Sequence, residues 1–267
     1  MKTGIVNLLK ILAIVYVLLC CLLYFIQEKL IFFPQKLAAD YKFTFNRRFQ
    51  ELPFKTPDGS ILHGLLFTAD SSKGLIFYLH GNAGSLASWG EVAKTYTNAG
   101  YDLFMLDYRG YGKSGGSIYN ENQFYDDVQL AYDSIRKKYD EKDIVVLGYS
   151  IGTGAAAKLA SVNHPRLLIL QAPYFSLIDM MKNNFRIIPS FILKYKFQTN
   201  IFLPKCKMPV VIFHGDQDEV INYGASVKLK ALFKPADTLI TLHGQGHNGM
   251  SDNPAYISEL KKVLAKY

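Results

Sequence analysis

IVVLGYSIGTGAAA, from Ile144 to Ala157, sets an apolar run directly against a run of small residues. Ile144, Val145, Val146 and Leu147 have the β-branched character of a buried strand. Gly152, Gly154, Ala155, Ala156 and Ala157 read as a helix packed closely on a sheet. Ser150 stands at their junction, inside the pattern G-x-S-x-G formed by Gly148, Tyr149, Ser150, Ile151 and Gly152. In that pattern the serine occupies a sharp strand-to-helix turn that lifts its Oγ clear of the sheet. The turn also places the N–H of Ile151 at a helix N-terminus, where a developing oxyanion is stabilised. A glycine-rich turn without chemistry fits the same five residues. What separates the two readings is whether an acid and a histidine follow on later strand ends.

Upstream, the pattern alternates between strands and helices. Leu52 to Thr56 and Ile61 to Thr68 flank Pro57-Asp58-Gly59-Ser60, a hairpin turn signal. Leu75 to Leu79 is a buried-strand run ending in His80-Gly81-Asn82-Ala83-Gly84, a loop that can turn a backbone N–H towards a site above the sheet. A helix over about 87–99 leads to the strand from Tyr101 to Leu106, the loop Asp107 to Gly116 and a helix from Glu121 to Lys138. Strands separated by helices imply βαβ units and a mostly parallel, doubly wound sheet, an α/β class. Gly110 lies only three positions before Lys113, so the glycine-rich loop lacks the spacing of a phosphate-binding P-loop.

Downstream, Leu167 to Leu170 is a strand, and the pattern then breaks into short aromatic and basic pieces over about 174–208. We read this stretch as a cap insertion that carries Lys182, Arg186, Lys194, Lys196, Lys205 and Lys207 against Asp179. Either it is a solvated insertion or it is a lid facing substrate or membrane. The strand Pro209 to Phe213 delivers Asp216, Asp218 and Glu219 to one loop, and all three qualify as the acid that orients a catalytic imidazole. The strand Thr238 to Leu242 runs into a loop holding His243 and His247. His247, between glycines and further from the strand, is the better placed general base for Ser150.

The chain has 267 residues, 49% of them hydrophobic, and a formal charge of +8. Its lysines and arginines are scattered and no nucleic-acid motif is present, so a membrane surface is the more economical partner. The uncharged run from Ile11 to Gln27, extended by Leu8 and Leu9, is long enough to cross a bilayer. No small-residue cleavage pattern follows it, which predicts an uncleaved single-pass anchor rather than a signal peptide. Basic residues flank the run on both sides and leave its orientation open. Cys20, Cys21 and Cys206 imply neither a disulfide framework nor a metal site. The expected organisation is an anchor over 1–28, a juxtamembrane linker over 29–50 and one domain over 51–267.

Taken together, HGNAG at 80–84, DYRGYGKS at 107–114, GYSIG, HGDQDEV at 214–220, GQGHN at 244–248 and the apolar N-terminus resemble the α/β-hydrolase superfamily. Within it, the membrane-anchored abhydrolase-domain branch, which includes esterase-like enzymes and protein depalmitoylases, is the most similar. The resemblance implies the order Ser, acid, His, with Asp218 as the acid and His247 as the base. It also implies that the N–H of Asn82 is the second oxyanion donor beside that of Ile151, and that Asp107, Arg109 and Gly110 form a structural loop. Tyr149 departs from relatives, which often carry a smaller or basic residue before the serine. The implied activity is cleavage of an ester or thioester of an acyl, lipid-like or acylated-protein substrate, with no metal or organic cofactor. A peptidase on the same scaffold and a non-catalytic membrane adaptor are the alternatives.

Overall fold

The computed structural model describes residues 2–267. A 30-residue helix, α1 (Lys2–Ile31), comes first. The antiparallel hairpin of β1 (Phe49–Lys55) and β2 (Ile61–Phe67) pairs Lys55 with Ile61. Its turn has Gly59 at φ +84°, a left-handed conformation that glycine adopts without a Cβ penalty. The chain continues through β3 (Leu75–Leu79), α2 (Leu86–Trp89), α3 (Ala93–Asn98), β4 (Asp102–Asp107), α4 (Glu121–Ile135), β5 (Ile144–Tyr149) and α5 (Gly152–Val162). It then passes β6 (Leu167–Gln171), α6 (Leu177–Asn184), α7 (Thr199–Phe202), β7 (Val210–Gly215), α8 (Gly224–Lys230), β8 (Thr238–Leu242) and α9 (Pro254–Lys266). The eight strands lie in the order β1-β2-β4-β3-β5-β6-β7-β8. All neighbours from β4 onwards are parallel, and only β2 runs against the rest, antiparallel to both β1 and β4.

The central strands are buried on both faces, so alternate side chains feed two cores. Phe77, Val146, Leu168 and Ile212 face one layer with Phe124, Val128 and Tyr132 of α4 and Ala155 to Ala157 of α5. Tyr78, Val145, Ile169 and Phe213 face the other, with Tyr96 of α3 and Tyr256 and Leu260 of α9. At roughly 25 cal/mol per Å² of apolar surface removed from water, these two faces carry most of the favourable term in folding.

Three sequence expectations change in the folded chain. The helix over about 87–99 is interrupted by a 3-10 turn at Gly90–Val92. Gly90 is the weakest helix former there, and a Cβ on it would lie 2.3 Å from the Phe45 ring packed against it. The cap is narrower than residues 174–208, because Tyr195, Phe197, Leu203 and Cys206 are buried in the layer beside α5. What projects is α6 and the segment to about Lys194, where Phe185, Ile187 and Phe191 are exposed. The stretch expected to be a juxtamembrane linker is packed: α1 continues to Ile31, Phe32 joins the α4 core and Phe43 the opposite one.

Candidate active site

The turn after β5 has the strain that its sequence requires. Ser150 sits at φ +52°, a left-handed conformation costly for a non-glycine residue. It is held there by Ser150 N–H donating to the Gln171 carbonyl at 2.9 Å and by the Thr153 hydroxyl donating to the Ser150 carbonyl at 2.6 Å. Gly152 permits the turn: a Cβ at this position would stand 2.2 Å from the Leu79 carbonyl oxygen.

Parallel strands β5, β6, β7 and β8 end side by side, and their following loops meet over Ser150. His247 Nε2 lies 3.0 Å from Ser150 Oγ, and His247 Nδ1 lies 2.8 Å from Asp218 Oδ2. All three residues are buried at 8% exposure or less. The other acids of the β7 loop go elsewhere. Asp216 pairs with the exposed His243 at 2.8 Å, and Glu219 Oε2 accepts the backbone N–H of His247 at 3.1 Å.

Asp218 is surrounded by donors. Its Oδ1 accepts the N–H groups of Val220 at 2.9 Å and Ile221 at 2.7 Å, and His214 Nε2 approaches Oδ2 at 3.2 Å. Burial alone would raise its pKa, but the hydrogen bonds from His214, His247 and Ile221 override it and hold the carboxyl well below the usual range. His214 was not among the residues singled out from the sequence. Its only sequence signal is its place at the end of β7, four residues before the acid, and there Ser226 Oγ fixes its Nδ1 at 2.6 Å. Tyr149 was noted only as a departure, yet its hydroxyl donates to the backbone carbonyl of His247. A Tyr before the serine thus helps hold the histidine loop.

A cavity of about 300 Å³ opens above Ser150, lined by Trp89, Tyr149, Tyr174, Leu177, Met180, Val220 and Ile221. Asn82, Ile151 and His247 line it too. The backbone N–H groups of Asn82 and Ile151 have no hydrogen-bond partner among the described residues. No cluster of metal-ligating side chains occurs among the described residues either.

A second buried His–Asp pair lies beside the site. His80 Nε2 stands 3.8 Å from Asp107 Oδ1, and both side chains are fully shielded from solvent. Asp107 Oδ1 accepts the Leu86 N–H at 3.0 Å, while Asp107 Oδ2 and His80 Nε2 have no partner. Burial pushes Asp107 up to about 7 and His80 down to about 4, so between these two values both are neutral. Arg109, in the same loop, is forked onto Asp127 of α4 at 2.7 and 3.0 Å and reaches Asp58 of the β1–β2 turn at 2.5 Å.

Comparison with known proteins agrees with this architecture. The family model described as serine aminopeptidase, S33, matches residues 70–203. An alpha/beta hydrolase domain-containing protein 17B from Xenopus laevis is 31% identical over 206 residues, covering 73% of this chain and 68% of that protein. An uncharacterized protein, R595, of Acanthamoeba polyphaga mimivirus is 27% identical over 240 residues, covering 80% of this chain and 81% of that one. Among solved structures, the Pyrococcus furiosus esterase Pf2001 superposes with a TM-score of 0.70 at 18% identity, over 88% of this chain and 99% of that chain. Est1E from Butyrivibrio proteoclasticus, solved with ferulic acid bound, gives 0.64 at 22% identity, over 80% of this chain and 98% of that chain. The chain belongs to the α/β-hydrolase superfamily, within its abhydrolase-domain branch. The family match contains Ser150 but ends before Asp218 and His247, so the grouping of these two with the serine rests on the folded geometry.

Proposed function

We propose that this α/β hydrolase is a serine hydrolase that cleaves ester or thioester bonds of acyl substrates through a covalent acyl-enzyme, and that α1 anchors it to a membrane. The observation that carries the reading is the hydrogen-bonded chain from Ser150 through His247 to Asp218 beneath an apolar cavity. In the proposed cycle, His247 Nε2 takes the hydroxyl proton of Ser150 as Oγ attacks the acyl carbonyl. The resulting oxyanion is stabilised by the N–H groups of Asn82 and Ile151. His247 then gives its proton to the departing alkoxide or thiolate. Water activated by the same imidazole hydrolyses the acyl-enzyme and restores Ser150. Asp218 stays ionised throughout, fixes the tautomer with Nδ1 protonated and stabilises the imidazolium.

A serine peptidase is the second reading, favoured by the description of the matching family. The lining of the cavity argues against an aminopeptidase: no carboxylate is among its residues to receive a free α-ammonium group. Its aromatic and aliphatic wall fits a hydrocarbon chain. The anchor proposal rests on α1, a 30-residue helix that carries no charged side chain between Lys10 and Glu28. A helix of this length extends about 45 Å, more than a bilayer core.

Labelling of detergent-solubilised protein with a fluorophosphonate, wild type against Ser150→Ala, is the direct test. Labelling that vanishes in the variant, followed by turnover of acyl esters or thioesters but not amides, is the expected result. A folded wild type that takes no label would overturn the serine hydrolase reading, and preferential amide turnover would favour the peptidase. Retention in the membrane pellet after alkaline carbonate extraction checks the anchor.

A further inference from the structure

The loop that carries the proposed oxyanion donor is braced from outside as well as from within. Ala83 and Gly84 follow Asn82 with φ of +62° and +78°. Two successive left-handed residues, one with a Cβ, form a conformation that persists only where neighbours over-determine it. Within the loop Asn82 Oδ1 accepts the Ala83 N–H at 2.9 Å, Trp89 Nε1 donates to the Ala83 carbonyl at 2.9 Å, and the remaining support comes chiefly from the end of α1. Ile31 is the last residue of that helix, so its carbonyl lacks an intrahelical partner. Asn82 Nδ2 donates to this carbonyl, and Asn82 Oδ1 accepts the Phe33 N–H at 3.2 Å and the Tyr111 hydroxyl at 3.1 Å. Beyond the left-handed pair, Gln35 N–H donates to the Gly84 carbonyl at 2.8 Å, and the Gln35 carbonyl accepts the Gly112 N–H at 2.8 Å. One carboxamide therefore closes a helix terminus and, through its own backbone, sets the direction of the N–H that lines the cavity.

The cap segment that follows α6, outside the cavity lining, is tied to the same helix end. Gln27 Nε2 donates to the Ile192 carbonyl at 2.9 Å and its Oε1 accepts the Lys194 N–H at 2.7 Å. Glu28 pairs with Lys194 at 3.1 Å and accepts the Tyr195 hydroxyl at 3.0 Å.

We propose that the end of α1, through the Ile31 carbonyl and the Phe33 N–H, is a positioning element of the hydrolase site that aims the Asn82 N–H by gripping the Asn82 side chain. The proposal rests on the serine hydrolase reading and goes beyond it: the N-terminal helix is a working part of the site as well as a tether. Donors aimed at a developing oxyanion are worth about 10²–10³-fold in rate, and misplacing one forfeits part of that factor.

The test uses the full chain in detergent with an ester substrate and a trifluoromethyl ketone, which forms a tetrahedral adduct with the serine. Asn82→Ala is expected to lower kcat about 10- to 100-fold and weaken the ketone by a similar factor, with KM within about twofold and an unchanged melting temperature. A general loosening of the fold would not confine the loss to the tetrahedral species. Phe33→Pro removes the helix-side donor, and the Phe33 side chain is mostly exposed, so little packing is lost. It is expected to reproduce the loss, and the double variant to be no worse than the stronger single one. Gln27→Ala, which releases only the cap side, should leave ketone affinity within about twofold. If either variant fails to fold, Asn82→Asp, which keeps the size and the acceptor but loses the donor to Ile31, is read in its place and should lower kcat about tenfold. Wild-type kinetics in Asn82→Ala or Asn82→Asp would overturn the proposal. So would a silent Phe33→Pro, because the effect of Asn82 would then be local to the substrate. A wild type that takes no fluorophosphonate would instead remove the hydrolase reading and this proposal with it.

Discussion

Two buried His–Asp pairs lie within the same layer of loops, and they have opposite electrostatic characters. In the His247–Asp218 pair the carboxylate receives two backbone N–H groups and approaches from two imidazoles, and its pKa is driven down. In the His80–Asp107 pair the partners stand 3.8 Å apart, one oxygen and one nitrogen have no hydrogen bond, and burial drives both groups towards neutrality. Residue type is the same in both. The number of donors around the carboxylate decides whether burial produces an orienting charge or a neutral packing unit.

The largest effect that sharpens this contrast is catalytic. Asp218→Asn should lower kcat by about 10⁴-fold, since an amide imposes the wrong imidazole tautomer. Asp107→Asn, with the same change at the other pair, should leave kcat within about threefold, because the Leu86 N–H keeps an acceptor. Steady-state ester hydrolysis by the two purified variants checks both. Comparable losses would mean that the neutral pair takes part in turnover.

Next in size is a pH dependence that each pair member hides from the other. Between about pH 4 and 6.5 the unfolded chain carries one proton on His80 and none on Asp107. The native chain carries one on Asp107 and none on His80, given pKa values of about 7 and about 4. The totals are equal, so the pair contributes no slope. Asp107→Asn leaves only His80, whose lowered pKa stabilises the native state above about 6.5 and is lost towards pH 4. Stability of that variant should rise with pH by up to about 1.4 kcal/mol per unit relative to wild type. His80→Gln leaves only Asp107, whose raised pKa stabilises at low pH and is lost as pH rises through about 7. Its slope should have the opposite sign. Urea unfolding at half-unit pH intervals measures both, and parallel curves for the two variants would show that the pair is charged when folded.

A smaller effect tests how the neutral pair is sealed. Gly112 has φ +47°, and a Cβ there would lie 1.9 Å from Asp107 Oδ2. Gly112→Ala should therefore destabilise by about 1–3 kcal/mol in denaturant unfolding, with KM near wild type. The smallest effect belongs to Asp216, two residues from Asp218 in sequence but paired with His243 rather than His247. Asp216→Asn, which removes the charge facing the exposed His243 and keeps an acceptor for the Gly244 N–H, should change kcat less than about twofold. A large loss would move the acid from Asp218 to Asp216.

Much of this arrangement is legible in local sequence because local sterics write it there. The turn at Ser150 needs glycine where a Cβ would strike the Leu79 carbonyl, and small residues where α5 lies against β5. Strands buried on both faces appear as continuous apolar runs, so the parallel sheet is visible as well. The cap boundary is less visible, because aromatic and basic residues near Tyr195 and Phe197 look like an insertion although their rings are core. The packed segment after α1 is invisible in pattern alone. Its bonds run from backbone groups to a side chain 49 residues away, and no periodicity encodes such a contact.

Sequence by itself determined the α/β class, the sharp turn at Ser150 and the order in which Ser150, the acids of the β7 loop and His247 follow their strands. These follow from interactions within a few residues, where glycine tolerance, strand propensity and helix termini act directly. Tertiary structure decided which carboxylate faces His247, which His–Asp pair keeps a charge, and that the end of the N-terminal helix grips Asn82. Those choices depend on donors delivered from different strands and on how much water the assembled loops exclude, and both are set only once the sheet has brought the strand ends side by side.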